Sequence, residues 1–77
     1  MKIKILFFGI LTDAVETDSM EMENIYSIWE LKQKLFAQFP KLATHNFQIS
    51  VNKKIEKGDF LFQHKDEIAL LPPFAGG

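Results

Sequence analysis

Only one stretch of this chain is built to be a helix, and that stretch is short. Ser27-Ile28-Trp29-Glu30 has the residue types of a capping box, in which the serine hydroxyl accepts from the backbone N–H three residues on and the glutamate reaches back to the serine amide. Tyr26 and Leu31 flank it at the spacing of a hydrophobic staple. From Ile28 the apolar residues recur at Leu31, Leu35 and Phe39, one stripe of a 3.6-residue period, while Lys32, Gln33, Lys34 and Gln38 take the wet side. Pro40 disfavours helical geometry at Phe39 and has no N–H to donate, so the spacing predicts a helix over 28–38. Trp29, near the helix start, is expected to pack against the sheet rather than to serve a function. One such helix in a chain of 77 residues leaves the rest of the fold to strands.

The remaining patterns alternate. Lys2 to Phe8 reads as a strand with Ile3, Ile5 and Phe7 on the core side and Lys2, Lys4, Leu6 and Phe8 on the other. Gly9 ends or bends it, and Leu11 to Asp18 reads as a loop or short helical turn. Ser19-Met20-Glu21-Met22-Glu23 alternates weakly, as a hairpin partner of the first strand would. Beyond the helix, Lys41 to Asn46 reads as a loop and Phe47 to Val51 as a strand. Asn52-Lys53 is then a turn and Lys54–Ile55 a short edge piece. After a second turn at Lys57-Gly58-Asp59 and apolar mass at Phe60-Leu61-Phe62, Glu67 to Leu71 forms the last strand. Pro72-Pro73 stops it, since neither can donate to a ladder.

Strand, strand, helix, strand, short strand, strand makes an α+β sandwich, a mixed four- to five-stranded sheet with one helix on one face. A right-handed crossover through the helix should bring the first and third strands into parallel pairing or near neighbourhood. The arrangement resembles the β-grasp, or ubiquitin-like, fold. No repeat or linker divides the chain, so one domain is expected over 1–71, with 72–77 as an exposed tail. A domain this small needs a dense core, and eight Phe, eight Ile and eight Leu supply it.

Composition excludes much. With no Cys there is no disulfide framework, thiolate metal site or cysteine nucleophile. Nine basic residues against ten acidic ones argue against a nucleic-acid binder. The longest apolar run, Ile5 to Leu11, is too short to cross a bilayer, and no signal-peptide pattern opens the chain; a cytoplasmic domain that avoids membranes is expected. His45 and His64 sit in polar, loop-like surroundings and form no triad or ligand spacing, so no metal site is expected. Glu21 and Glu23 read as a solvated strand face and Asp66-Glu67 as part of a turn. Lys53, Lys54 and Lys57 make a small basic cluster that protects a sheet edge. The body of the chain has no catalytic constellation.

The chemistry therefore falls to the tail, Pro72-Pro73-Phe74-Ala75-Gly76-Gly77. The diproline stiffens the chain as it leaves the sheet and projects it outward. Phe74 to Gly77 reach at most about 13 Å into a partner. Glycines let that partner's backbone close around the tail and leave the Gly77 carbonyl carbon open to attack. A free carboxylate is a poor acylating agent. Made into an acyl-adenylate, it gains a leaving group that a persulfide sulfur can displace, giving a terminal thiocarboxylate.

At these residues the sequence resembles the small subunits of molybdopterin synthases, the sulfur carriers of molybdenum-cofactor biosynthesis. The matching motifs are Lys4-Ile5-Leu6-Phe7-Phe8, Ser27-x-x-Glu30-Leu31, Ile49-Ser50-Val51-Asn52 and, most specifically, Asp66 to Gly77. Leu70-Leu71 departs from the family, where aromatic residues are common. The resemblance implies that Gly77 is the reacting residue, adenylated and then converted to a thiocarboxylate, and that Pro72, Pro73, Phe74, Ala75 and Gly76 insert into the large subunit. It implies three partners: that large subunit, a ubiquitin-activating-like adenylyltransferase and a sulfur-donating persulfide enzyme. No cofactor is held stably, and ATP is used by the activating enzyme. The complex donates sulfur to cyclic pyranopterin monophosphate to build a dithiolene, two carriers acting in succession within a heterotetramer.

Alternation separately points to a docking face. Phe8 lies opposite the core residues of its strand and Leu71 directly precedes the tail; since the first and last strands of a β-grasp sheet are neighbours, these two, with Ile55 from the edge piece, are expected to form an exposed apolar patch for a partner. Other readings stay open: a carrier for thiamine thiazole or tRNA thiolation, or a non-covalent ubiquitin-like module or protein modifier.

Overall fold

The computed structural model describes residues 1–73. Five strands and two helices follow one another as β1 (Lys2–Phe7), α1 (Leu11–Val15), β2 (Ser19–Glu23), α2 (Ile28–Gln38), β3 (Gln48–Val51), β4 (Lys54–Glu56) and β5 (Glu67–Leu71), with a 3₁₀ turn over Pro40–Thr44 between α2 and β3. The sheet order is β2-β1-β5-β3-β4. Only β1 and β5 run parallel; the other pairings are antiparallel.

This order corrects one of the two expected relations between the first and third strands: they do not pair in parallel, though they lie near one another with β5 between, and the first and last strands are neighbours as expected. The parallel partner of β1 is β5, and β3 lies beyond it, antiparallel to β5. The α2 crossover leaves one strand position vacant beside β1, the β3–β4 hairpin continues outward, and β5 returns to fill the gap. A strand with neighbours on both sides needs a continuous apolar sequence, and Ile68-Ala69-Leu70-Leu71 supplies one. The edge positions fall to Ser19–Glu23 and Lys54–Glu56, whose charged side chains discourage further pairing.

Alternation on β1 buries Ile3, Ile5 and Phe7, and β5 adds Ile68 and Leu70 to the same layer. The α2 stripe Ile28, Leu31 and Leu35 closes on them, so the helix covers one sheet face. Ser27 Oγ accepts from the Glu30 N–H at 3.2 Å, the serine half of the capping box. Phe39 closes the other end, its N–H donating to the Leu35 carbonyl at 2.7 Å. Pro40 then begins the 3₁₀ turn, where a missing N–H costs nothing, and that turn buries Leu42 in what the sequence reads as a loop. The segment after β1 holds a true short helix, with Leu11 and Val15 one turn apart on its buried side.

Two expectations at the start of α2 do not hold. Trp29 is 62% exposed. Each helical residue turns about 100° from the last, so a stripe that buries Ile28 and Leu31 directs position 29 outward. Tyr26 stays outside as well, its hydroxyl donating to Asn24 Oδ1, and Ile25 is the residue buried before the helix.

The β3–β4 hairpin turns on two residues, Asn52 and Lys53, both at positive φ (50° and 74°), the geometry that matches strand twist. Asn52 also ties the hairpin to β5. Its Oδ1 accepts from the Glu67 N–H, and its Nδ2 donates to Asp66 Oδ1, both at 2.9 Å. The buried Asp66 accepts a further bond from the Gln63 N–H. These bonds fix where β5 starts, and hence where it ends.

The Ser27→Ala variant is expected to lose about 1 kcal/mol of stability in urea unfolding, the usual worth of a helix N-cap. Leu35→Ala should lose about 2–5 kcal/mol because it opens a cavity under the sheet.

Candidate functional site

Among the described residues no helix covers the face of the sheet away from α2, and register decides what that face carries. Residues paired across strands share a face, so Leu6, Ala69, Ser50 and Ile55 form one row across β1, β5, β3 and β4. At the usual strand spacing that row is about 14 Å long. The next row toward the end of β5 is Phe8, Leu71 and Gln48: Leu71 pairs with Gln48, and the Phe8 N–H donates to the Leu70 carbonyl at 3.2 Å, carrying the ladder one residue past β1. The structure thus brings Phe8, Ile55 and Leu71 to one face. Phe8 is 43% exposed and Ile55 39%, while Leu71 is half-buried between its neighbours.

The opposite end of this face is charged. Lys4 sits across from Glu67 on one side and Glu21 on the other, and Lys2 Nζ lies 3.9 Å from Glu21 Oε1. The apolar rows therefore occupy only the end at which the chain leaves β5, with a polar border beyond, as protein interfaces are commonly arranged.

Pro72 corrects the expected boundary of the tail. It is buried, and the globule runs through it; Pro73 is the first exposed residue after β5. Room for its ring comes from Gly9, which sits at φ +59° with its α-carbon against Pro72. Phe74, Ala75, Gly76 and Gly77 lie outside the described residues.

Sequence reasoning missed Ile10, which is 56% exposed and follows Gly9 directly in the chain. Its membership in the apolar run Ile5 to Leu11 marks it, but Gly9 breaks the alternation that would have assigned its face. Leu6, which alternation turns outward, and Ala69, whose face depends on the register of β5, share this face. The histidines do not join this site. His64 Nδ1 accepts from the Lys2 N–H at 3.1 Å, which gives it a place in the turn before β5. Among the described residues no group of three or more His, Asp or Glu side chains gathers as metal ligands would, and no helix is long and apolar enough to cross a membrane.

What this arrangement offers is an apolar seat where β5 ends, and among the described residues no acidic or histidine side chain shares its two rows. A model of the ThiS family matches residues 5–77. The chain belongs to the ThiS family. Over its whole length this ThiS-family chain is 28% identical to the molybdopterin synthase sulfur carrier subunit of Mycobacterium tuberculosis, covering 99% of that protein.

Among solved structures, a putative molybdopterin converting factor subunit 1 from Pyrococcus furiosus superposes with a TM-score of 0.87 at 17% identity, covering 96% of this chain and 99% of that one. One chain of the protein–protein complex of subunits 1 and 2 of molybdopterin-converting factor from Helicobacter pylori gives 0.75 at 21% identity, covering 100% of this chain and 100% of that one. The small archaeal modifier protein 1 of Methanosarcina acetivorans gives 0.81 at 21%, with 99% and 96% covered. These likenesses show the fold, a ubiquitin-like β-grasp.

Phe8→Ala should leave stability within about 1 kcal/mol, as at other exposed positions. If Phe8 instead held the core, urea unfolding would show a loss several times larger.

Proposed function

We infer that the chain is a sulfur carrier of the molybdopterin synthase type, working through the carboxylate of Gly77. The observation that carries this reading is the family match, which extends through Gly77. Two others support it: the full-length relative whose name is that of such a carrier, and the apolar rows that end where the tail begins.

The chemistry follows from the terminus. An adenylyltransferase joins the Gly77 carboxylate to AMP, releasing pyrophosphate from ATP. The terminal sulfur of an enzyme persulfide attacks the carbonyl carbon, AMP leaves, and a thiol cleaves the S–S bond of the acyl disulfide. Gly77 is then a thiocarboxylate, and the thiol and the donor's thiol have become a disulfide. In the large subunit that sulfur attacks an oxygen-bearing carbon of cyclic pyranopterin monophosphate, the C–O bond breaks with the oxygen leaving as phosphate or water, and a further water hydrolyses the resulting thioester, returning Gly77 to a carboxylate and leaving the sulfur on the pterin. A dithiolene needs two such transfers. The carrier contributes the nucleophile and its delivery; groups that bind the pterin and move protons belong to the partner. Phe8, Ile10, Ile55 and Leu71 seat that partner, and the tail reaches past them into its active site.

The test begins with the chain, ATP, an activating enzyme and a persulfide donor. Intact mass is expected to rise by the difference between one sulfur and one oxygen, located at Gly77 by fragmentation. Adding the large subunit and the pterin should then yield dithiolene. Full thiocarboxylation with no dithiolene would overturn the pathway and leave thiazole or tRNA thiolation as the destination. Removal of Gly76 and Gly77 should abolish transfer while binding to the large subunit persists. A non-covalent module would keep all of its activity, and a modifier would appear joined to lysines.

A further inference from the structure

Gly9 and Pro72 meet in a contact that the docking face does not require. A side chain at position 9 would place its Cβ 2.9 Å from Pro72 Cγ, well inside ordinary carbon–carbon packing distance. Gly9 cannot easily retreat, because its carbonyl accepts from both the Thr12 N–H at 3.1 Å and Thr12 Oγ1 at 2.9 Å. On the other side, the Phe8 N–H is held by the Leu70 carbonyl at 3.2 Å. The glycine is thus a fixed, bare platform between the end of β1 and the start of α1, and the Pro72 ring is buried on it.

Proline supplies the other half of the device. The ring locks φ at residue 72 and again at residue 73, so seating the first ring sets the direction in which the chain leaves the globule. A tail that must carry its carbonyl carbon to a reacting atom gains from a fixed point of departure, since misplacement by about 1 Å can cost around a hundredfold in rate. We propose that Gly9 is a positioning residue for sulfur transfer, acting through Pro72 to aim the tail. This rests on the sulfur-carrier reading given above. The carrier would then have two separable parts: apolar rows that set affinity, and the Gly9–Pro72 seat that sets the productive direction.

The experiment is a double-mutant cycle on the full chain with Gly9→Ala, Pro72→Ala and the pair, each loaded as the thiocarboxylate and mixed with the large subunit and the pterin. Gly9→Ala should slow single-turnover transfer about tenfold to a hundredfold, while the carrier concentration giving half the maximal rate stays as in the wild type. Pro72→Ala should slow transfer as well, and the double variant should be no slower than the slower single one, because both remove the same contact. Nuclear Overhauser contacts between the Gly9 α-protons and the Pro72 ring supply an activity-independent readout: present in the wild type and lost in Gly9→Ala, with core amide shifts unchanged.

Multiplying effects, or wild-type transfer by Gly9→Ala after the contact is lost, would overturn the proposal. So would absence of the contact in the wild type, which keeps the test decisive even if a variant fails to fold. If the wild-type carrier transfers no sulfur, the functional reading fails separately, and the Overhauser measurement still reports on the seat.

Discussion

The parallel pairing of β1 with β5 is the constraint from which the site follows. It places the last strand between the first and third, so the chain leaves the sheet from its middle, beside the end of β1. That geometry joins the outward side chain of Phe8 and the adjoining Gly9 turn to the root of the tail, which lies at the other end of the sequence. Had β5 been laid down at an edge, the same residues would form a sheet with its tail remote from Phe8. The hydrophobic demand of a central strand and the bonds of Asn52 to Asp66 and Glu67 hold β5 in its place and register.

From that placement the two faces of the sheet acquire different duties. One is closed by α2 and carries the core. The other has no layer of its own and stays apolar only near the tail, grading into alternating lysines and glutamates toward the far end. The gradient concentrates apolar contact where the chain departs, so a partner seated there sits around the tail. The exposed Tyr26, Trp29 and Leu61 lie about the start of α2, where Ser27 bridges to Leu61, apart from this row.

Local rules made the elements legible. The capping box and Pro40 bracketed α2 at 28–38, and alternation found β2 and β5 with their ends. The hairpin turn at Asn52-Lys53 and the outward faces of Phe8 and Ile55 were legible for the same reason: short-range geometry decides them. Local patterns do not reach long-range placement. The insertion of β5 beside β1 is a matter of which strand fills the last gap, and only the resemblance to the β-grasp fold, whose first and last strands are neighbours, pointed to it. Pro72 read as the first tail residue because two prolines end a strand; its burial depends on Gly9, sixty-odd residues earlier in the chain. Trp29 read as packed from its size alone, although the phase of the α2 stripe already turned it outward.

The claim that binds these observations together is that the uncovered apolar rows at the root of the tail receive the partner. Amide and methyl shift mapping of the labelled chain, titrated with the large subunit of a molybdopterin synthase, tests it most directly. The account predicts the largest changes at Leu6, Phe8, Ile10, Ile55, Ala69 and Leu71, with Tyr26, Trp29 and Leu61 undisturbed. Changes centred on Trp29 and the start of α2, with the outer sheet face silent, would contradict it.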